Sequence, residues 1–191
     1  MTATPTTLAD VLAMAQDALV RGVADRHSPL HTPTLATLGI NGAPSLRTVV
    51  LRGFEPATRT LSIHTDRRSP KVAALAADPR AMLHGYDAAT RMQLRLAGRA
   101  TLHRDDAIAD AAWAASRETS RMTYATAWAP GTALPAPPAA PEDPLGGREN
   151  FAAVMLRFDS LDWLLLDPAG HRRARFDWAE DGAMAASWVA P

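Results

Sequence analysis

The chain contains no cysteine and a single lysine. The first absence removes disulfides, thiolate metal ligands and a cysteine nucleophile, and it fits a cytoplasmic protein. No stretch approaches the ~18 apolar residues of a membrane span. No basic residues precede an apolar run between Met1 and Thr7, so no secretory signal is expected. Neither sign of charge dominates, since 20 basic and 20 acidic side chains cancel. That balance argues against a nucleic-acid binder relying on bulk electrostatics. What is present is 191 residues, 47% of them apolar, enough for one domain over residues 1–191 with a real core. Of the 20 basic residues 19 are arginine, which makes Lys71 conspicuous.

Thr7 can cap a first helix over residues 8–21, with Leu8, Val11, Leu12, Ala15 and Leu19 on one face and Gly22 as its stop. A β-rich body follows. Thr34 to Ile40 reads as a strand, Asn41-Gly42 as a hairpin turn, and Ala43 to Phe54 as the returning strand. Thr60 to Thr65 is the third strand of this antiparallel set. Ser69-Pro70 opens a helix ending at Ala77, with serine as N-cap and proline at the first helical position. Ala81 to Tyr86 and Met92 to Leu102 form a second strand pair, and Asp105 to Ser116 is an alanine-rich helix. Residues 129–147 hold six prolines and three glycines and read as a linker or lid. Phe151 to Phe158, Asp162 to Leu166 and His171 to Trp178 are three further strands. Six to eight antiparallel strands with flanking helices predict a mainly β protein, closed or half-closed as a barrel, because sheets of that size escape free edges by closing.

The stretch His64-Thr65-Asp66-Arg67-Arg68-Ser69-Pro70-Lys71 carries three cations into the first turn of a helix. Each cation there is unfavourable by ~0.3–1 kcal/mol unless an anion offsets it. A phosphate reverses the sign, because free backbone N–H groups, the Ser69 hydroxyl and the cations can all converge on it. Solvated surface arginines are the plainer alternative. On the strand Arg47-Thr48-Val49-Val50-Leu51-Arg52, alternation gives each face both a cation and apolar groups. That mixture suits a strand whose ends reach a polar ligand while its backbone lies along a flat ring, or an arginine snorkelling from a sheet edge. On Gln93-Leu94-Arg95-Leu96-Ala97-Gly98, Gln93 and Arg95 share a face, which fits either a ligand partner or an exposed sheet face.

In this order the three stretches resemble the FMN-contacting segments of the pyridoxamine 5′-phosphate oxidase-like proteins. The resemblance covers Leu35 to Ala107 and, more weakly, the last strands. It implies a split-barrel homodimer with two FMN molecules in clefts between protomers and a small-molecule substrate. By that likeness Arg47 and Lys71 hold the FMN phosphate with Ser69 and Arg68. Thr48, Val49, Val50 and Leu51 lie along the ring, with His64 and Thr65 beside it. Gln93 comes from the second protomer to the flavin's polar edge, and Arg175-Phe176 resembles a final Arg-Phe pair whose arginine contacts FMN.

The departures fall mainly on the substrate side. Arg52 stands where the vitamin B6 oxidase has lysine. His171-Arg172-Arg173 replaces an Arg-x-His pair, and Pro70 replaces one arginine of a phosphate pair. Leu165 stands nearest to a ring-stacking tryptophan, with Trp163 close by. Arg52, Arg117 and Arg173 are the candidate substrate contacts, with Ser116 and Ser120 loosely similar to a substrate-phosphate loop. No catalytic acid or base is assigned, His64 and His171 being candidates by type alone, and no metal is implied. Three functions remain open: an FMN-dependent oxidoreductase of a small molecule, a pyridoxamine or pyridoxine 5′-phosphate oxidase, and a flavin-binding module without turnover. A tetrapyrrole binder is a variant of the third.

Overall fold

The fold comes from a computed structural model that describes residues 5–141, 143 and 146–191. Residues 1–4, and positions 142, 144 and 145 of the expected proline-rich loop, lie outside the described residues. Helix α1 (Leu8–Ala24) is started by a reciprocal cap. The Thr7 hydroxyl accepts from the Asp10 N–H, and the Asp10 carboxylate accepts from the Thr7 N–H, both at 3.1 Å. The helix runs past the expected stop at Gly22. That glycine is an interior contact: a Cβ there would come within 2.8 Å of the Leu30 carbonyl oxygen. The missing side chain is used to seat α1 on the following turn, not to end it.

Nine strands follow: β1 (Thr34–Leu38), β2 (Pro44–Thr48), β3 (Leu51–Glu55), β4 (Thr60–Asp66), β5 (Arg80–Asp87), β6 (Met92–His103), β7 (Phe151–Leu165), β8 (Arg172–Trp178) and β9 (Met184–Val189). They make one antiparallel sheet in the order β2-β1-β5-β6-β7-β4-β3, with β8 against β7 and β9 against β8. The sequence predicts one strand from Ala43 to Phe54, and the structure corrects this. β2 pairs with β1, β3 pairs with β4, and the two sit at opposite ends of the strand order. Only Val49 and Val50 join them. A two-residue link between the two edges forces the sheet to curl on itself, which makes the half-closed barrel. The alternation of side chains continues through residues 47–52, so nothing local marks the break.

Two expected strands at the C-terminal end are one. β7 is continuous over 15 residues, and its pairing with β6 shifts at Ala97/Gly98, where Asp159 is skipped. Gly98 makes this bulge possible: a Cβ there would overlap the Arg157 carbonyl oxygen and lie 2.5 Å from the Phe158 Cα. β9, absent from the expected set, brings the total above six to eight. The short helices α2 (Pro70–Ala77), α3 (Ala107–Ala115) and α4 (Glu118–Arg121) flank the sheet.

The strand registers separate two rows of side chains. Leu35, Leu83, Leu96, Leu161 and Phe176 are cross-strand partners, each at most 1% exposed, and form the centre of the core. Arg47 stands directly opposite Leu35 and so continues this core-facing row on β2. One residue along, Thr48, Thr34, His84, Arg95, Asp162, Arg175 and Ser187 are partners in turn. This polar row lies on the outer face, because successive residues of a strand alternate sides. No helix among the described residues is long and apolar enough to cross a membrane.

Candidate functional site

The residues singled out by the sequence fall into three groups. The first lies where β4 runs into α2. Ser69 is the N-cap by position but gives no side-chain cap bond. Its hydroxyl instead accepts from Lys71 Nζ at 2.8 Å, as does the Thr65 hydroxyl at 2.8 Å. Arg47 reaches the same region from β2, donating to Thr37 Oγ1 (2.7 Å), Ser45 Oγ (2.6 Å) and the Leu35 carbonyl (3.3 Å). All of these partners are neutral. The pKa of Lys71 is held below its ordinary value, first by burial and then by the Arg47 charge, with Asp66 opposing. Burial likewise lowers that of Arg47. Beside them is a groove of about 370 Å³ lined by Gly39, Asn41, Ser45, Arg47, Pro70 and Ala74.

Arg68 belongs to this neighbourhood, but its donors are engaged. It binds both oxygens of the buried Asp66 at 3.1 and 2.7 Å, and its Nη2 also reaches the Thr126 carbonyl at 3.0 Å. Its Nη atoms extend to the Ala127 and Trp128 carbonyls at 3.4 Å. Arg68 therefore clasps residues 126–128, just before the proline-rich segment, onto the entrance of α2. Arg67 is bonded to Asp105.

The second group lines a cleft of about 940 Å³ bounded by β3, β4, α3 and the end of α1. Leu51, Arg52, His64 and Arg117 all face it, with Ser62, Ser116, Ser120 and Met155. Arg52 is aimed there by a bulge: Leu51 pairs with Ile63 and Gly53 with Ser62, which leaves Arg52 unpaired in the ladder. The His64 ring packs edge-on against Phe151 at 4.9 Å between centroids, with Nδ1 3.4 Å from Ser116 Oγ. Burial, with the Arg52 charge adding to it, lowers the His64 pKa to about 4. The imidazole is accordingly neutral at pH 7, a hydrogen-bonding group and not a stored proton. Val49 is buried, Val50 is half-buried, and Thr48 is exposed.

The third group occupies the outer face of β6 to β8. Gln93 Oε1 lies 3.2 Å from His84 Nε2. Arg173 grips Asp162 through Nε and Nη2, and Arg95 binds the same carboxylate at 2.7 Å. Burial pushes the Asp162 pKa up, but the two guanidiniums outweigh it and hold the carboxyl below its ordinary value. Arg175 pairs with Asp177. Among the described residues no hydrogen bond or ion pair joins this group to the other two. The register explains why: Arg47 belongs to the core-facing row, whereas Gln93, Arg173 and Arg175 point to the opposite side of the sheet. His171 is exposed near Arg172 and Trp188.

Two features of the sequence reading change here. Trp163 is 0% exposed within the core, with its Nε1 unpartnered, so it offers no ring to a ligand; Leu165 is half-buried. Val23 at the end of α1, Arg26 and His27 just after it, and Met155 line the cleft without having been anticipated. Met155 could have been found only from its pairing with Ser62; the α1 contribution depends on a packing no local pattern encodes. No cluster of three or more potential metal ligands occurs among the described residues.

Comparison with known proteins agrees with this architecture. Residues 13–104 match the family model described as pyridoxamine 5′-phosphate oxidase, FMN-binding domain. The pyridoxine/pyridoxamine 5′-phosphate oxidase of Anaeromyxobacter dehalogenans is 34% identical over 131 residues, 69% of this chain and 63% of that protein. Pyridoxine/pyridoxamine 5′-phosphate oxidase 2 of Arabidopsis thaliana is 46% identical over 65 residues, 34% of this chain and 33% of that protein. The chain thus spans a third to under two thirds of the curated relatives it matches. Among solved structures, a pyridoxamine 5′-phosphate oxidase-related, FMN binding protein from Nostoc punctiforme superposes with a TM-score of 0.77 at 28% identity, covering 94% of this chain and 96% of that one. PhzG from Burkholderia lata, solved with tetrahydrophenazine-1-carboxylic acid, gives 0.72 at 18% identity, covering 95% and 92%, and supports the fold alone.

Proposed function

We propose that the chain is a divergent member of the pyridoxamine 5′-phosphate oxidase-like FMN-binding family and an FMN-dependent oxidoreductase of a small organic molecule. One observation carries the placement of the cofactor. Arg47 and Lys71 are two half-buried cations whose every hydrogen-bond partner is neutral. Holding like charges together out of water is costly unless an anion joins them. Among the described residues, the carboxylate that acts on Lys71 is Asp66, and it is already held through both oxygens by Arg68. A phosphate monoester dianion at the N-terminus of α2 fits this excess charge and the uncapped helix start.

In this reading Arg47, Thr65, Ser69 and Lys71 hold the phosphate, and Arg68 serves by fixing Asp66 and the 126–128 segment around it. Val49, Val50, Leu51 and His64 border the ring. Bound FMN supplies reversible two-electron chemistry, and the protein's part is to orient and to exclude water. Arg52 and Arg117 give the 940 Å³ cleft its positive character and bind an anionic group of the substrate. His64, its pKa lowered to about 4 by burial and the Arg52 charge, can orient a substrate by hydrogen bonding but is not the imidazolium that a general acid would require. Gln93, Arg173 and Arg175 face away from the phosphate group in one chain. A homodimer, in which a second protomer brings Gln93 and Arg175 to the cofactor, unites all three groups.

The cheapest test is a titration of apo-protein with FMN and with riboflavin, followed by flavin fluorescence. FMN should bind far more tightly; equal affinity for the two would sink the phosphate assignment. A second reading, oxidation of a vitamin B6 5′-phosphate, is favoured by Arg52, Arg117, Ser116 and Ser120 facing one cleft. Oxygen-dependent formation of pyridoxal 5′-phosphate from pyridoxamine 5′-phosphate decides between the two. Failure of NADH, NADPH and substrate alike to reduce the bound flavin would leave only a binding module.

A further inference from the structure

We infer that His84 is a positioning residue that fixes the orientation of the Gln93 carboxamide, so that Gln93 presents its NH2 group, and not its carbonyl, to the polar edge of the flavin. The inference rests on the FMN reading above. A glutamine amide is nearly isosteric under a 180° flip, so its partner decides which end is offered. Here the carbonyl end faces the imidazole: Oε1 lies 3.2 Å from His84 Nε2, a hydrogen bond in the tautomer that carries its proton on that nitrogen. Among the described residues Nε2 of Gln93 has no partner, which leaves two donors to offer.

The strand register sets this pairing. Tyr86 is the cross-strand partner of Gln93 and Arg95 that of His84, so the two side chains are diagonal neighbours on the same outer face. The ring cannot reach Asp162 as an alternative acceptor without competition. That carboxylate already takes Arg95 on one side and Arg173 on the other. The remaining register partner of His84 is Thr34, on β1. Among the described residues His84 thus has Gln93 as its side-chain hydrogen-bond partner, while the neighbouring Asp162 is taken up by Arg95 and Arg173.

A double-mutant cycle on flavin dissociation constants tests this. The variants are His84→Leu, Gln93→Leu, the double variant, and His84→Gln, whose Nε2 falls near that of the imidazole. Gln93→Leu should weaken FMN and riboflavin alike, because it acts at the ring. His84→Leu should weaken both about three- to tenfold, should do nothing further in the Gln93→Leu background, and should be largely reversed in His84→Gln. Apo-protein melting temperatures should stay level across the set. Equal losses from His84→Leu in both backgrounds, or no rescue by His84→Gln, would mean a merely structural histidine. If Gln93→Leu leaves both affinities unchanged while Lys71→Met still weakens FMN, the Gln93 role falls and the cofactor reading stands. Failure of the unmodified protein to bind any flavin overturns both.

Discussion

Replacing Lys71 by methionine separates a ligand-binding lysine from a structural one, because the two roles predict opposite signs. Methionine keeps most of the volume and removes the charge. On the proposed phosphate role, the change deletes a charge-assisted contact worth about 1.5–3 kcal/mol and so should weaken FMN about ten- to a hundredfold. Riboflavin affinity should not move. In the apo-protein the same change removes a cation that burial and Arg47 both disfavour, so stability should hold or rise. The pH dependence carries the same sign. The folded-state pKa of Lys71 lies below its ordinary 10.5, so the unfolded chain binds more protons in the window between those two values. Unmodified apo-protein should therefore gain stability relative to Lys71→Met as pH rises through that window. Fluorescence titration gives the affinities and thermal melts of flavin-free protein give the stabilities. Arg47→Met should follow Lys71→Met, and exposed Arg21→Met should change nothing. A Lys71→Met protein that binds FMN normally, or that loses apo stability while losing riboflavin and FMN together, would refute the reasoning.

Two other consequences are open to direct measurement. His64 titrates near pH 4 in the fold against 6.5 in an exposed setting, so its unfolded form takes up the proton first and stability must fall as pH drops from about 6.5 to about 4. With the ring only partly shielded from water, the loss should be about 1–2 kcal/mol, and His64→Gln should flatten this limb in acid denaturation curves. Gly98→Ala forces a methyl group into the Arg157–Phe158 backbone at the β6–β7 bulge; it should destabilise by at least ~2 kcal/mol in chemical denaturation, and an unchanged midpoint would mean that the bulge yields easily.

The barrel's individual elements were readable because their signals are local. Thr7 and Asp10 cap α1 through atoms three residues apart, Asn41-Gly42 turns β1 into β2, and Ser69-Pro70 starts α2. The cluster proposed to hold phosphate was readable for the same reason: Thr65, Ser69 and Lys71 are brought together by one strand end and one helical turn. Arg47 needed more, since its place beside Lys71 depends on β2 lying against β1.

What the chain's linear order did not contain was decided by pairings far apart in sequence. Alternation through residues 47–52 looks like one strand, but β2 and β3 find partners at opposite edges of the sheet, because closing the barrel satisfies two rows of backbone groups that a straight strand would leave bare. The tertiary fold also places the Thr126–Trp128 carbonyls, far along the chain, within reach of Arg68. It also set His84 beside Gln93 and put Trp163 in the core. Sequence alone determined that a cluster of cations and hydroxyls stands at the start of a helix. Only the folded sheet decided that one of those cations, Lys71, meets Arg47 of β2 with neutral hydrogen-bond partners alone, and that Gln93 faces the other way.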